Sequence, residues 1–487
     1  MSARHGNISS MVKVVAAIVI SVTIFLGEAR TAEGTSCLPA SDIYPCTCKE
    51  KSRGPSVICE NVNETEIMQS LKVLKGRSNV IYRLMFRSCD LQRVRDYLFL
   101  GLNVEHLTMS RSNISVVEES SLRTLAGTLQ TLDLSYNNLH TVPTAALEHL
   151  QSLSFLNLNY NMIKILGQSA FSGLRGLERV SLYDNQMQHI EENAFSGTGD
   201  KLIRLNLGKN HLEDVPNLQA LSKLQVLTLS ENRISRIRVG DFTGLNKLDM
   251  LMLENNKIRS LEGNTFSELT ALNSLNIKHN DISNISEHAF AGLEDHLEWL
   301  ELGHNRLTGI PSHALRTLQN LRQLDLDSNR IVNVPEDAFE GYGGSIKFMM
   351  LSRNNIKDIP PMTFFDLHSL EWLKLSHNDL STLTEDTVLP ILDTLTMIDV
   401  SNNPLVCTCE LMWLRSWLRD FTERETYKSF AQHNCIRSNG QTEDVMELSV
   451  KELGCPEYIS HTKDDSTCLT TAPKLTAFMT LIATLLM

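Results

Sequence analysis

Residues 129–139 read LQTLDLSYNNL, residues 272–282 read LNSLNIKHNDI and residues 321–331 read LRQLDLDSNRI. All three stretches fit L-x-x-L-x-L-x-x-N-x-L, and numbering these positions as slots 1 to 11 places asparagine in slot 9. Asparagine returns in slot 9 every 22 to 25 residues, at Asn137, Asn161, Asn185, Asn210, Asn232, Asn256, Asn280, Asn305, Asn329, Asn354, Asn378 and Asn403. Two weaker copies precede these, with Cys89 and Ser112 in slot 9. The chain therefore contains fourteen copies, numbered 1 to 14 below.

The pattern predicts one short strand in each copy. Neighbouring side chains of a strand face opposite ways, so slots 4 and 6 point inward while slots 3, 5 and 7 point outward. Slots 1, 4, 6 and 11 are apolar in nearly every copy, and each fully buried leucine contributes about 1.5–3 kcal/mol to a shared core. The slot-9 amide is expected to satisfy backbone groups at the turn and on the next coil. This is the leucine-rich-repeat period, which predicts an α/β solenoid (horseshoe) of about 14 repeats with a parallel β-sheet on its concave face.

A second motif follows the strand in many copies. It reads AFSGL (170–174), DFTGL (241–245), TFSEL (265–269) and AFAGL (289–293), and its phenylalanine is predicted to fill the convex side of each coil. One coil cannot bury its own two faces, so the coils stack and the first and last coils need caps. The repeats are predicted over residues 76–402.

The N-terminus predicts a secretory signal peptide over residues 1–29. The uncharged apolar run from Val14 to Leu26 follows Lys13, and small residues precede a cleavage site after Ala29. Thirteen residues of helix cover about 20 Å, too little for a hydrocarbon core of about 30 Å. A retained membrane helix is the alternative.

The C-terminus predicts a glycosylphosphatidylinositol anchor. The apolar run from Leu475 to Met487 ends the sequence, with a polar spacer and the small residues Asp465-Ser466-Thr467 before it. Ser466 is the expected attachment residue and Asp465 the second choice, with 457–466 as linker and 467–487 removed. A short transmembrane tail is the alternative.

Eight of the ten cysteines form two groups at the ends of the repeats: Cys37, Cys46, Cys48 and Cys59, then Cys407, Cys409, Cys435 and Cys455. In a secreted chain these predict disulfide-bonded caps over residues 37–75 and 403–456, although spacing alone leaves three pairings in each group. Five residues at helical spacing form an apolar face that could cover the last coil: Trp413, Leu414, Trp417, Leu418 and Phe421. Zinc binding is the rival interpretation, disfavoured because paired C-x2-C units are absent. Cys89 and Cys468 are left over.

These features resemble extracellular leucine-rich-repeat proteins with cysteine-rich caps at both ends, over residues 37 to about 456. The resemblance implies the disulfides Cys37–Cys48, Cys46–Cys59, Cys407–Cys435 and Cys409–Cys455. The organisation is similar to the anchored proteins connectin and the Nogo receptor. It implies adhesion or recognition at the outer face of the plasma membrane.

The outward slots predict a protein-binding patch, mainly in copies 8 to 14. Its candidate residues are Phe155, Met250, Met252, Trp299, Phe348, Met350, Trp372 and Met397. Nearby carboxylates are Glu254, Glu301, Asp325, Asp327 and Asp399. Exposed aromatic and methionine side chains beside charged ones are typical of interface centres. An idle surface is the alternative, because single exposed apolar residues are common.

The early copies differ from the later ones. They carry Arg83, Arg87, His106, Arg179 and Arg204 in outward slots, so that a second copy on an opposing cell could pair head-to-tail. Solvated charge is the default interpretation.

Other functional classes receive little support. The net charge of -12 argues against nucleic acid as a partner. We find no G-x-S-x-G, H-E-x-x-H or phosphate-loop motif, so an enzyme is not predicted, and neither is a cofactor. His279, His304 and His377 share slot 8, but no recurring carboxylate or thiol accompanies them, so no metal site is predicted. N-glycosylation is expected at Asn63, Asn113 and Asn284, and Asn7 is discounted because it lies in the signal peptide.

The sequence therefore predicts an anchored surface glycoprotein that binds an extracellular protein. The alternative is a shed or secreted binding module, either an innate-immune pattern-recognition protein or an accessory subunit of another secreted protein.

Overall fold

A computed structural model of the chain describes residues 37–75, 80–198, 200–423 and 433–456. The predicted signal peptide, the linker, Asp465, Ser466 and the C-terminal apolar run lie outside the described residues and stay predictions. In the described part of the chain, no helix combines the length and apolar character needed to cross a membrane.

In the described part of the chain, a sixteen-stranded sheet runs from the N-terminal cap to the last coil, and we number its strands β1 to β16 in chain order. In the N-terminal cap, β1 (Thr47–Lys51) pairs antiparallel with β2 (Gly54–Glu60), and every later pair is parallel. The copies contribute β3 (Val80–Arg87), β4 (Asn103–Ser110), β5 (Thr131–Asp133), β6 (Phe155–Asn157), β7 (Arg179–Ser181), β8 (Arg204–Asn206), β9 (Val226–Thr228), β10 (Met250–Met252), β11 (Ser274–Asn276), β12 (Trp299–Glu301), β13 (Gln323–Asp325), β14 (Phe348–Met350), β15 (Trp372–Lys374) and β16 (Met397–Asp399). The predicted parallel solenoid is confirmed, with two additional strands from the cap.

The remaining elements are short. The helices are α1 (Ala40–Ile43), α2 (Glu64–Leu74), α3 (Thr144–Leu147), α4 (Ser312–Leu315), α5 (Glu385–Val388) and α6 (Met412–Glu423). Single 3-10 turns cover Arg123–Leu125, Gly343–Ser345, Leu389–Ile391 and Cys409–Leu411. Two-residue strands pair between neighbouring coils at Arg93–Val94 with Val116–Val117, Ile165–Leu166 with His189–Ile190, and Ser260–Leu261 with Asn284–Ile285.

The core follows the predicted slots. In β12, Leu300 in slot 4 is fully buried, whereas Trp299 and Glu301 on either side are partly exposed. The slot-1 and slot-6 residues of the same copy, Leu297 and Leu302, are also buried, and this alternation repeats along the sheet. The inward residues of all coils belong to one continuous apolar core.

The slot-9 asparagines form a hydrogen-bonded ladder between coils. The Asn256 amide nitrogen donates to Leu253 O and to Leu229 O, both at 3.0 Å, while its Oδ1 accepts from Ile234 N at 3.1 Å. Leu229 and Ile234 belong to copy 7, so the amide reaches the preceding coil, and the expectation of the next coil was wrong. The reason is that the slot-6 carbonyl and slot-11 N–H of the preceding coil lie beyond its strand and need partners.

Slot 8 is where each strand turns away from the sheet. Its backbone is left-handed in every copy, from Ser88 (φ 53°) to Asn402 (φ 55°), and none of these residues is glycine. The occupants are all unbranched at Cβ, which is what left-handed backbone tolerates. Slot-8 side chains consequently project along one rim of the sheet, and we call this edge the slot-8 rim.

The convex side contains more phenylalanines than the sequence motif listed. The buried rings are Phe99, Phe171, Phe195, Phe242, Phe266, Phe290, Phe339 and Phe364. Rings of adjacent coils pack with centroids 5.7 to 6.2 Å apart. Leu218 and Leu315 fill the same position in copies that lack phenylalanine.

The N-terminal cap contains the disulfides Cys37–Cys48 and Cys46–Cys59, which are the pairs that the family resemblance implies. Cys89 is a buried free thiol whose Sγ lies 3.5 Å from Cys59 O, and burial raises its pKa. A thiol with a raised pKa is a poor nucleophile, which fits the structural role expected for Cys89.

The C-terminal cap contains the disulfides Cys407–Cys435 and Cys409–Cys455, again the pairs that the resemblance implies. In α6, Trp413, Leu414, Trp417 and Leu418 are buried. The Trp413 indole N–H donates to Leu383 O of the last coils at 2.7 Å, which ties the cap helix to the solenoid. A small hairpin, Asn434–Ile436 with Thr442–Asp444, completes this cap.

Candidate protein-binding face

Three large rings lie together on the outward side of β12 to β15, and we call them the aromatic patch: Trp299, Phe348 and Trp372. Trp299 and Phe348 stack with centroids 6.3 Å apart, and Phe348 meets Trp372 edge-on at 5.1 Å. Trp372 is 41% exposed, and the other two rings are partly exposed. Because slot 3 is outward in every strand, the sheet holds these rings in solvent with little conformational freedom.

Four methionines extend the aromatic patch. Met397 pairs with Trp372 across β15 and β16, and Met350 lies in slot 5 of the Phe348 strand. Met250 and Met252 lie on β10, two strands from Trp299, with Ser274 between Met250 and Trp299 in the register. Methionine adapts its shape to a partner, which suits the edge of a binding surface.

Phe155 does not join this group. It lies on β6, about 19 Å from β10 at a strand spacing of about 4.8 Å. Its ring is covered by the Arg179 guanidinium, whose carbon is 5.1 Å from the ring centroid.

The slot-5 carboxylates and amides have a structural role that sequence reasoning missed. Asp325 was expected to face solvent, but the structure corrects this, since only 3% of its surface is exposed. Its Oδ1 accepts from Asp327 N at 2.9 Å, and Lys278 Nζ lies 2.6 Å from its Oδ2. Lys278 reaches Asp325 from two coils away because Gly303 stands between them: a Cβ there would lie 3.0 Å from Asp325 Oδ1. Asp399 likewise accepts from Ser401 N at 3.0 Å.

Three further acidic residues face the same surface. Burial and then the field of Asp325 raise the pKa of Asp327 to about 6. Glu254 accepts from the Asn276 side chain at 2.7 Å, and Glu301 lies 3.4 Å from Lys278. Much of the acidity predicted for this half of the face is therefore engaged within the protein.

The histidines of slot 8 lie on the slot-8 rim. His279 and His304 stack with centroids 3.9 Å apart, and burial followed by the field of His279 lowers the pKa of His304. His377 instead contacts Asn402. Within the described ranges, no three histidine, cysteine or carboxylate side chains group as metal ligands would.

The slot-8 rim also carries an aromatic cluster that the outward-slot analysis missed. Tyr136 and Tyr160 stack with centroids 4.0 Å apart, and Tyr160 meets Tyr183 edge-on at 5.7 Å. The Arg111 guanidinium lies 3.9 Å from the Tyr136 centroid, and Tyr183 donates to Glu231 at 2.8 Å. Tyrosine in slots 7 or 8 of three consecutive copies was the available signal.

The four arginines in outward slots of the early copies, Arg83, Arg87, Arg179 and Arg204, are exposed, whereas His106 is partly buried. Arg87 pairs with Glu60 at 3.1 Å, whereas Arg179 and Arg204 stand opposite each other on β7 and β8. Burial and then the charge of Arg83 lower the pKa of His106.

All three predicted glycosylation asparagines are exposed. Asn63 also caps α2, where its Oδ1 accepts from Glu66 N at 3.0 Å. Asn113 accepts from the Asn138 side chain of the next coil, and Asn284 begins a short strand outside the main sheet. None of these asparagines lies in an outward slot of β3 to β16.

A leucine rich repeat family model matches residues 103–163, 127–186, 156–212, 200–258, 248–295, 295–344 and 345–405. These segments together cover more than half of the chain. No curated protein matches it in sequence.

Several solved structures share the fold. One is TLR13 in its complex with ssRNA13, with 25% identity, a TM-score of 0.60, and coverage of 79% of this chain and 62% of that chain. Drosophila Toll in the complex with Spatzle has 19% identity, a TM-score of 0.60, and coverage of 76% and 51%. A Leptospira interrogans leucine-rich-repeat protein has 22% identity, a TM-score of 0.53, and coverage of 73% and 90%. The chain thus spans 62% and 51% of the first two proteins, and the latter two likenesses concern the fold alone.

Proposed function

Because the chain belongs to the leucine-rich-repeat family, we propose that it is a cell-surface glycoprotein that binds another extracellular protein through its concave face. The proposed setting is cell adhesion or cell–cell recognition. The observation that carries the proposal is the aromatic patch, three partly exposed rings on the outward side of four consecutive strands.

The packing of the aromatic patch supports a binding role more than a structural one. Trp413 and Trp417 are buried in the C-terminal cap, where they cover the last coil. Trp299 and Trp372 cover no part of the core, since the buried residues of their strands are Leu300 and Leu373. Rigid aromatic side chains lose little entropy on binding and dominate many interface energies.

A test replaces both exposed tryptophans, as Trp299→Ala with Trp372→Ala. Partners of the wild-type ectodomain are first collected on an array of extracellular domains, and their affinities are then measured by surface plasmon resonance. If each tryptophan contributes about 2 kcal/mol and the two contributions add, affinity falls on the order of 1,000-fold, and Tm stays unchanged.

The matched control replaces two exposed aromatic residues away from the patch, as Tyr97→Ala with Phe365→Ala, and should retain wild-type affinity. Equal affinity of the tryptophan variant and the wild type would reject the concave patch as the binding site.

We propose further that the protein is held at the outer membrane face by a glycosylphosphatidylinositol anchor at Ser466. The four disulfides support an oxidising, extracellular setting. Treatment of expressing cells with a phosphatidylinositol-specific phospholipase should release the protein into the medium. Retention on treated cells would contradict the anchor.

A soluble recognition module is the second candidate. The similarity to TLR13, solved with ssRNA13, supports ligand recognition by such a module, although the net charge of -12 disfavours nucleic acid as its ligand. Protein found in the medium of untreated cells would support this candidate.

A further inference from the structure

We propose that Arg179 and Arg204 form an anion-binding site for an acidic segment of the protein partner. Arg83 lies further along the same slot-3 row and extends the site. This inference rests on the proposed function, because it concerns the same concave face. It adds that the partner carries negative charge and that this charge binds to the N-terminal half of the sheet.

The first argument is the pairing of like charges. Arg179 and Arg204 are direct neighbours in the parallel register of β7 and β8, and both are exposed. Like charges directly opposite each other destabilise a sheet. In the described part of the chain, no carboxylate lies within the 4.0 Å ion-pairing distance of Arg83, Arg179 or Arg204. The molecule therefore holds positive charge here without compensating it.

Arginines elsewhere in the repeats show that compensation is available to this fold. Arg238 pairs with Asp214 at 2.7 Å, Arg306 with Asp281 at 2.5 Å, and Arg322 with Glu298 at 3.3 Å. These pairs join neighbouring coils on surfaces beside the sheet. Among the described residues, the slot-3 arginines form no such ion pair, although Glu178 directly precedes Arg179 and the chain as a whole has a net charge of -12.

The second argument is the availability of hydrogen-bond donors. The Arg179 guanidinium lies over the Phe155 ring, 5.1 Å from its centroid, and a stacked guanidinium keeps its N–H edge free for a carboxylate. On β8, Asn206 Oδ1 accepts from Gly208 N at 2.9 Å, which leaves its NH2 group to donate. Two guanidinium forks beside an amide donor suit carboxylates, which accept bidentate hydrogen bonds.

The position of the site selects a short acidic segment over a long polyanion. About 24 Å separates β3 from β8, which about seven residues of extended chain would span. Further along the sheet, Glu254 and Glu301 face the same surface. A polysaccharide running along the row would meet this charge, whereas a protein with an acidic stretch and an apolar or basic neighbouring surface would match both halves.

The test measures binding of a fluorescent octaglutamate peptide to the full ectodomain by anisotropy, at 20 and 200 mM salt. Wild-type protein should bind the peptide, more weakly at the higher salt concentration. The variant Arg179→Gln with Arg204→Gln should bind at least about tenfold more weakly. Its Tm should equal or exceed the wild-type value, because a repulsive pair has been removed.

The matched control is Arg236→Gln with Arg238→Gln, which removes the same two charges from a pair of arginines bound to Asp214. This control should retain peptide affinity within about twofold. An equal loss in both variants, or a Tm reduced only in the Arg179 and Arg204 variant, would overturn the site.

Further measurements distinguish this site from the aromatic patch, from a polysaccharide-binding site and from a contact between two copies of the chain. The variant Trp299→Ala with Trp372→Ala should retain octaglutamate binding, so failure of the aromatic patch leaves the basic site testable. Binding of a heparin octasaccharide without octaglutamate binding would reassign the site to polysaccharide. Salt-sensitive dimers lost in the Arg179 and Arg204 variant would assign the acidic segment to a second copy of the chain.

Discussion

Asparagine in slot 9 connects each coil to the one before it. In copy 12, Asn354 Nδ2 donates to Leu326 O at 3.0 Å and to Leu351 O at 3.1 Å, while Oδ1 accepts from Ile331 N at 3.0 Å. These backbone groups are buried and have no strand partner. One side chain therefore satisfies polar groups in two coils, as a backbone ladder would.

Replacement of this side chain should be costly. Asn354→Ala leaves the buried Ile331 N–H without an acceptor. It also removes one of the two asparagine donors to each carbonyl, Leu326 O and Leu351 O. The free energy of unfolding should therefore fall by roughly 2–3 kcal/mol. The adjacent Asn355→Ala is the control, because Asn355 is exposed and its side chain has no described partner. Urea denaturation followed by circular dichroism measures both variants. Equal stability of the two variants would contradict the ladder.

A second residue-scale prediction concerns Asp327, whose folded-state pKa is raised to about 6, above the ordinary value of 3.8. The folded protein therefore binds this proton more tightly than the unfolded chain, and the carboxylate costs stability above pH 6. That cost disappears as pH falls from about 6 to about 4. At pH 7.5, Asp327→Asn should raise Tm and increase the free energy of unfolding by about 1–2 kcal/mol. Near pH 4, the substitution should have little effect on either quantity. Calorimetry at both pH values is the measurement, and a benefit that persists at pH 4 would contradict the assignment.

At the scale of the element, the strand and the convex turn of each coil contribute different side chains to the core. Each strand is only three residues long over most of the sheet, so it buries one side chain between two outward ones. The convex turn supplies a phenylalanine that packs on its counterpart one coil away, as Phe339 does on Phe364 with centroids 6.0 Å apart.

Two adjacent phenylalanines test this division. Phe364 is fully buried, whereas Phe365 is 53% exposed. Phe364→Ala should lower the free energy of unfolding by about 3–5 kcal/mol through loss of contacts and creation of a cavity. Phe365→Ala should change it by less than about 0.5 kcal/mol. Guanidinium denaturation compares the two, and similar losses would place the convex packing in doubt.

At the scale of the whole molecule, each coil contacts only its neighbours, so stability is local and the caps protect the two ends. The Cys409–Cys455 disulfide closes a separation of 46 residues in the C-terminal cap, and such a bond contributes typically 2–4 kcal/mol.

Loss of that disulfide should therefore lower local stability mainly at the C-terminal end of the solenoid. In the variant Cys409→Ser with Cys455→Ser, hydrogen exchange should accelerate first in copies 13 and 14, while copies 6 to 8 keep wild-type protection. The control variant Cys37→Ser with Cys48→Ser should move the acceleration to copies 1 and 2. Uniform acceleration along the chain would show that the solenoid unfolds as a single unit.

The fold could be predicted from sequence because one period specifies every coil. Alternation within a strand predicted that Leu300 is buried and that Trp299 faces outward, and the structure confirms both placements. Contacts between coils could not be predicted from sequence, because they depend on which side chains of different coils lie next to each other. Asp325 is buried through Lys278 and Gly303, which come from two other coils.

The candidate site was predictable only in part for a related reason. The rule of alternating faces applies to slots 3 to 7, and it located the aromatic patch. Slot 8 has left-handed backbone, which that rule does not describe, so the Tyr136 and Tyr160 stack was missed. Phe155 was grouped with distant rings because slot number carries no information on distance along the sheet.

The left-handed backbone of slot 8 has a consequence for how this molecule can vary. The conformational cost there arises from the main chain and the Cβ atom, so it is similar for tyrosine, histidine, lysine or glutamate. Substitutions among unbranched residues along the slot-8 rim can thus alter what the surface recognises while leaving stability nearly constant. Fourteen such positions give the protein a row of sites where new specificity can evolve separately from folding.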